Sequence, residues 1–334
     1  MGWLLADLGR LSLTGLLMER PPVESAVLIA IACLFAFVSG MNDGGALLAT
    51  GLKLPAIRPA VGILTLVVLV ALVPLVTHRV ALTFVNRLAT FQGAGAKIAM
   101  AVAVVAALIV VMTLSARGRP TSLTLAIVGG LTGAGLGWGL PVSAGSVSLV
   151  LAFGLAAPVV GGLLAWVMIR LLVKVTTSHG LTRWHWAGFL LQTIAYSAND
   201  GQKMLAVFMI VVGFSDAPLT YTSLGALLFG LGTGYGLPRA GRTLSREIIV
   251  SRPLHGVAAE LASGIAVIAC SALGMPVSMT QAIAGGLIGA GVAQGAGRVR
   301  WYAAVKIVIA WLLTLPASAL LAGVAAYVVK AVTA

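Results

Sequence analysis

The chain has 334 residues, of which 60% are hydrophobic and only 9% charged, with a mean hydropathy of +1.09. That composition excludes a water-soluble globular domain and specifies an all-α polytopic membrane protein. The formal net charge of +13 does not point to nucleic acid, because the basic residues sit mostly in short segments between apolar runs, where they report orientation.

Residues 1–22, "MGWLLADLGRLSLTGLLMERPP", lack a basic leading region and a small-residue cleavage site, and read as an N-terminal interfacial segment ending at Pro21-Pro22. Ten hydrophobic segments follow, near 24–50, 60–77, 96–115, 120–139, 146–172, 186–213, 218–237, 256–275, 276–296 and 301–330. Cys33 and Cys270 fall inside such runs and read as small buried hydrophobes. If the segments alternate across the bilayer, the side carrying Arg117, Arg119, Arg170, Lys174, Arg239 and Arg242 is the richer in Lys and Arg. The positive-inside rule places that side in the cytoplasm and both termini outside a cytoplasmic membrane.

The sequence is duplicated. "SGMNDGGALLAT", 39–50, aligns with "SANDGQKMLAV", 197–207, setting Asn42-Asp43 against Asn199-Asp200 at an offset of 157. "PTSLTLAIVGGLTGAG", 120–135, aligns with "PVSMTQAIAGGLIGAG", 276–291, at an offset of 156, with eleven of sixteen positions identical. The expected organisation is a first repeat over 23–175 and a second over 176–334. Five segments per repeat is an odd number, so the second copy should enter the membrane from the opposite side, giving two inverted five-segment repeats. Such folds set the substrate at the midplane among broken or re-entrant helices, and both duplicated motifs have the Gly, Pro and polar character this requires.

Of the eight acidic residues, Asp43, Asp200 and Glu260 fall within the spans. Each charge there costs roughly 2.5–3.5 kcal/mol on insertion scales, which makes function the default expectation. Lys203, three residues after Asp200, shares its helical face and would neutralise it; Asp43 has no basic residue near it in sequence before Lys53. An Asn-Asp pair offers hard oxygen ligands for a small cation such as Na⁺, and a carboxylate at membrane depth can instead carry a proton. Asn42, Asp43, Asn199 and Asp200 are therefore the candidate cation centre. Ser122, Thr124, Ser278 and Thr280 follow the duplicated prolines at helix starts, where hydroxyls and free N–H groups hold an oxyanion; helix packing is the ordinary alternative for such residues.

Glu260 lies about a turn inside its segment, equally suited to a gating or coupling carboxylate and to an interfacial acid. His78, His179, His185 and His255 all fall near loops without metal-ligand spacing and are expected to be solvated. The apolar "GGLTGAGLG" type of segment follows no strand and contains no Lys, so close helix packing is expected there rather than a nucleotide site.

The two Asn-Asp motifs, the two Pro-x-Ser-x-Thr motifs, "RPLHGVAAELA" and the closing "GAGRVRWYAAVKIVIAWLLTLPASALLAG" together resemble the inorganic phosphate transporter (PiT) family of phosphate permeases, over nearly the whole chain from about Val23. The resemblance implies an inverted-repeat secondary transporter moving inorganic phosphate with Na⁺ or H⁺, in bacterial members with the phosphate as a neutral metal-phosphate complex. It implies that Asn42, Asp43, Asn199 and Asp200 form the coupling and substrate centre, that Ser122, Thr124, Ser278 and Thr280 surround the phosphate, and that Glu260 is tied to transport. The chain departs from the family pattern in that Ala46 stands where the first motif usually has a further Asn, "AVGILTLVVLVALVPLVT" has no acid where many members carry a glutamate, and Leu125 and Gln281 stand where the family has histidine.

The expected function is cation-coupled phosphate transport by alternating access, with Lys203 adding anion attraction once released from Asp200. Transport of another oxyanion such as sulfate is the alternative, and a membrane-embedded enzyme a weaker one. No cofactor and no nucleic acid are expected; inorganic phosphate, a coupling ion and membrane lipid are, and a homo-oligomer is left open.

Overall fold

The computed structural model describes residues 23–333, less 52–53, 55, 89–90, 92–94, 118–120, 213–218, 243–247 and 250–251. The interfacial segment expected over 1–22, and Pro120, lie outside the described residues. In chain order come α1 (Val23–Ser39), a π-turn (Gly40–Gly44) and α2 (Gly45–Ala49); α3 (Pro59–Val76); α4 (Arg79–Thr83) with a second π-turn (Phe84–Leu88); α5 (Ala96–Ala116); α6 (Leu123–Trp138); and α7 (Ala144–Val175). Then follow α8 (Ser178–Tyr196), a third π-turn (Ser197–Gly201) and α9 (Gln202–Val212); α10 (Leu219–Arg242); α11 (Pro253–Ala272); α12 (Met279–Ala293); a 3₁₀ turn (Ala296–Arg298); and α13 (Trp301–Thr333).

Local chemistry sets many of the starts and stops. Pro59 and Pro253 open α3 and α11, Ser143 and Thr177 cap α7 and α8 through their hydroxyls, and Gly139, at φ 78°, closes α6 in the left-handed region. Among the described residues six helices are long and apolar enough to cross a membrane: Ala26–Ala49, Pro59–Val76, Ala96–Ala116, Ala144–Val175, Pro253–Ala272 and Trp301–Thr333. The chain is thus an integral membrane protein. α6 and α12, with 16 and 15 residues, are only about 22–24 Å long at 1.5 Å per residue, shorter than a hydrocarbon core of about 30 Å.

The helices of one sequence copy pack reciprocally on those of the other. α6 lies along α13 while α12 lies along α7; α10 covers the first π-turn while α3 covers the third; α5 packs on α6 and α13 as α11 packs on α12 and α7. Glycines of the duplicated "GGLTGAG" and "GGLIGAG" segments make some of the closest of these approaches. A Cβ added to Gly133 would fall 1.9 Å from the Ala319 carbonyl oxygen, and one added to Gly289 would fall 1.9 Å from that of Gly162. Only glycine allows helices so near, as the close-packing expectation held.

Two expectations are corrected. Helices broken at both duplicated motifs were expected, but the Asn-Asp motifs do not break theirs: Ser39, Gly45, Tyr196 and Gln202 all keep right-handed helical dihedrals, and the chain widens by one π-turn in each copy. Such bulges accommodate an extra residue while the helix continues, and they recur at functional sites. The solvated histidines are the second case. His78 is exposed, but His185 and His255 are buried, because both face inward on helices whose ends are covered: His255 Nε2 lies 3.1 Å from Gln294 Oε1, and its Nδ1 accepts from the Arg252 N–H at 2.9 Å.

Candidate functional site

The first and third π-turns face the starts of α6 and α12, and their side chains tie the four pieces together. In the third, Asn199 accepts from the Val277 N–H at 3.1 Å through Oδ1 and donates to the Met275 carbonyl and to Ser271 Oγ, each at 3.0 Å. In the first, Asn42 donates to the Thr121 carbonyl at 3.2 Å and to Asp43 Oδ1 at 2.7 Å, and accepts from Ser115 Oγ at 3.3 Å. Both amides therefore clasp the extended segment that leads into the next hydroxyl-bearing helix. Ser115 and Ser271 were not singled out in the sequence, although they stand at the same offset of 156 as the second motif.

Lys203 reaches across the same junction. Its ammonium donates to Asp200 Oδ1 at 2.6 Å, to Thr124 Oγ1 at 2.5 Å and to the Val277 carbonyl, and Thr124 also donates to Val277 at 3.1 Å. The two sequence copies are thereby joined through one cation. Asp43 is equally buried, yet among the described residues it has no ion-pair partner. Ser122 caps α6 by accepting from the Leu125 N–H at 3.2 Å, and Ser278 and Thr280 hydroxyls lie 2.9 Å apart at the start of α12. Asn42, Asp43, Asn199, Asp200, Lys203, Ser122, Thr124, Ser278 and Thr280 thus belong to one locality.

Several buried polar atoms around this locality lack partners: Thr121 Oγ1, Asp200 Oδ2 and Gln281 Nε2 make no hydrogen bond among the described residues. Tyr196 lies beside both carboxyl groups, Asp43 and Asp200. Unpartnered buried groups are costly, about 1–3 kcal/mol each, and their concentration here marks a place suited to a polar ligand. Among them are acceptors for a cation and donors for an anion. Tyr196 and Gln281 were not predicted as site residues; an aromatic hydroxyl immediately before a duplicated polar motif was the available signal.

Gln202, present in only one copy, is occupied elsewhere. Its Oε1 accepts from the Val80 and Ala81 N–H groups at 2.8 and 3.1 Å, capping α4, and its Nε2 donates to the Ala198 carbonyl at 2.7 Å. Glu260 is likewise not part of the Asn-Asp locality. It is fully buried on α11, where Oε1 accepts from Thr50 Oγ1 at 2.8 Å and Oε2 lies 2.8 Å from His185 Nδ1. Thr50 ends α2 and His185 lies on α8, so this second cluster also joins the two copies.

A family model described as the phosphate transporter family (PHO4) matches residues 176–322. The chain is 28% identical over 313 residues to a probable low-affinity inorganic phosphate transporter of Mycobacterium tuberculosis, covering 88% of this chain and 75% of that one. It is 32% identical over 224 residues to the protein of the same description from Rhizobium meliloti, covering 61% and 66%, and 24% identical over 323 residues to that of Bacillus subtilis, covering 91% and 97%. A solved structure, "The sodium-dependent phosphate transporter", superposes with a TM-score of 0.80 at 19% identity, covering 93% of this chain and all of the other. At that identity the likeness establishes the fold.

Proposed function

We propose that this chain, which belongs to the phosphate transporter family, moves inorganic phosphate across the cytoplasmic membrane coupled to Na⁺ or H⁺. The family and the relatives described above are transporters, not enzymes. The observation that carries the coupling is the buried Asp43 carboxyl, which has no ion pair of its own among the described residues and is placed beside the unpartnered donors and acceptors at the α6 and α12 starts. An anion brought into such a place requires a counter-cation, and a cation or proton at Asp43 supplies it.

In the mechanism, Asn42 and Asn199 hold the π-turns against the segments before α6 and α12, so that the two acids and the hydroxyls of Ser122, Thr124, Ser278 and Thr280 converge. A cation or proton taken up at Asp43 offsets the charge of the incoming phosphate, whose oxygens accept from hydroxyls and from N–H groups at the helix starts. A carboxyl group also accepts from a protonated phosphate oxygen, which fully ionised sulfate cannot offer. The reciprocal packing of the copies supports an inverted-repeat arrangement, with α6 and α12 as the short helices at the midplane and both termini outside. The loaded site then opens to the cytoplasm by movement of one packed group against another. The solved protein of the same fold is sodium-dependent, which favours Na⁺ as the coupling ion here.

The deciding experiment is phosphate uptake into proteoliposomes under separate Na⁺ and H⁺ gradients, with and without Mg²⁺ and with excess sulfate as competitor. Uptake driven by one cation gradient and insensitive to sulfate is the expected outcome. Equal inhibition by sulfate overturns the phosphate assignment, and uptake independent of both gradients overturns the coupling.

A further inference from the structure

We propose that the Lys203 ammonium is a tethered cation, permanently filling one of two duplicated oxygen cages, so that this chain couples substrate to one fewer free cation than a site with both cages open. The inference rests on the cation-coupled reading above and concerns how many ions that site takes.

An ammonium has three N–H donors and no acceptor. All three of Lys203 are committed, to a carboxylate oxygen of Asp200, the hydroxyl oxygen of Thr124 and the carbonyl oxygen of Val277. Nothing remains for an incoming anion, so in this conformation the lysine is not a phosphate ligand. The three partners are instead the mixed set of hard oxygens that suits a small cation, drawn from three separate elements and from both sequence copies.

The duplication supplies the comparison within the same chain. The offsets of 157 and 156 pair Asp200 with Asp43, Thr124 with Thr280, Val277 with Thr121, and Lys203 with Ala46. The counterpart cage therefore has the acid, the hydroxyl and the carbonyl position but a methyl group where the ammonium is anchored. Two of its members adjoin: the Asn42 amide nitrogen donates both to Asp43 Oδ1 and to the Thr121 carbonyl. Formal charge agrees, since two carboxylates and one ammonium leave one negative charge for an exchangeable cation at Asp43, whereas loss of the lysine leaves two.

Three versions of the full-length protein test this: wild type, Lys203→Met and the double variant Asp200→Asn/Lys203→Met. The first measurement is ²²Na⁺ binding to purified protein in detergent, with thermal unfolding in Na⁺ and in choline, and it does not depend on transport. Lys203→Met is expected to bind about one additional Na⁺ per chain and to gain a Na⁺-dependent rise in Tm of several degrees over wild type. The double variant, with both charges removed, is expected to fold without needing Na⁺ and to lose that gain. The second measurement is phosphate uptake against Na⁺ concentration, where Lys203→Met is expected to show a steeper dependence on Na⁺. Unchanged Na⁺ binding and unchanged Na⁺ response of Tm in Lys203→Met overturn the proposal, as does a gain that persists in the double variant. Absence of uptake in wild type overturns the transport reading alone, since the binding difference is read separately.

Discussion

Glu260 of α11 and His185 of α8 form a buried pair, with Oε2 and Nδ1 2.8 Å apart and the other carboxylate oxygen held by Thr50 at 2.8 Å. With Thr50 the pair links three helices from both sequence copies, Glu260 fully buried and His185 nearly so. Removing one member leaves the other buried without its partner, which costs more than the intact pair contributes. His185→Ala is therefore expected to destabilise the protein by about 2 kcal/mol or more, read as a lower Tm in detergent. Glu260→Gln, which keeps the size and one acceptor, should lose less; a wild-type Tm for His185→Ala would show that the contact contributes nothing.

The two aspartates should respond differently to the same substitution. Asp200→Asn strands the Lys203 ammonium among neutral oxygens, whereas Asp43→Asn removes a carboxyl that has no ion pair among the described residues. The expectation is a stability loss of about 3–5 kcal/mol for Asp200→Asn and a small or favourable change for Asp43→Asn, with uptake losing its cation dependence in the latter. Equal stability losses would contradict the charge distribution described above.

The glycine seams give a position-specific prediction. Gly133→Ala and Gly289→Ala each drive a methyl carbon to 1.9 Å from a backbone oxygen on the facing helix, a clash no rotamer relieves. Each is expected to cost about 1–3 kcal/mol or more through forced separation of the helices. Gly145→Ala, whose Cβ would meet nothing within 4 Å, is the control and should leave Tm unchanged, measured in parallel.

Gln202 provides a test that separates capping from ion coupling. Gln202→Leu removes the acceptor for two α4 amides and is expected to cost about 1–2 kcal/mol. Hydrogen exchange should quicken at Val80 and Ala81, while the shape of the Na⁺ dependence of uptake stays as in wild type. A change in that shape without faster exchange would move Gln202 into the coupling site.

The all-α membrane class was legible because bilayer depth demands runs of apolar residues whatever the tertiary packing. The duplicated motifs were legible because two offsets agreed. What escaped was decided by contacts distant in sequence. "GMNDG" and "SANDG" look like interruptions, yet side-chain clasps to residues 121 and 275–277 hold them in a π-turn inside a continuing helix. His185 sits in "RWHW", which reads as an interfacial patch; only the approach of α11, 75 residues away along the chain, encloses it. Lys203 was readable as the neutraliser of Asp200, but Thr124 and Val277 are 79 and 74 residues away, so the completeness of its coordination was not.

The interlocking of α6 with α13 and of α12 with α7 bears on how the protein is made. α6 presents a face that its own half of the chain never covers, and α13 is the last described helix to leave the ribosome. Until it arrives, the Gly129–Gly137 stripe has no partner and must wait against lipid or another protein. The first half of the described chain is therefore not closed by itself, and a fragment ending before Trp301 would leave Gly129, Gly133 and Gly137 without the helix they pack against.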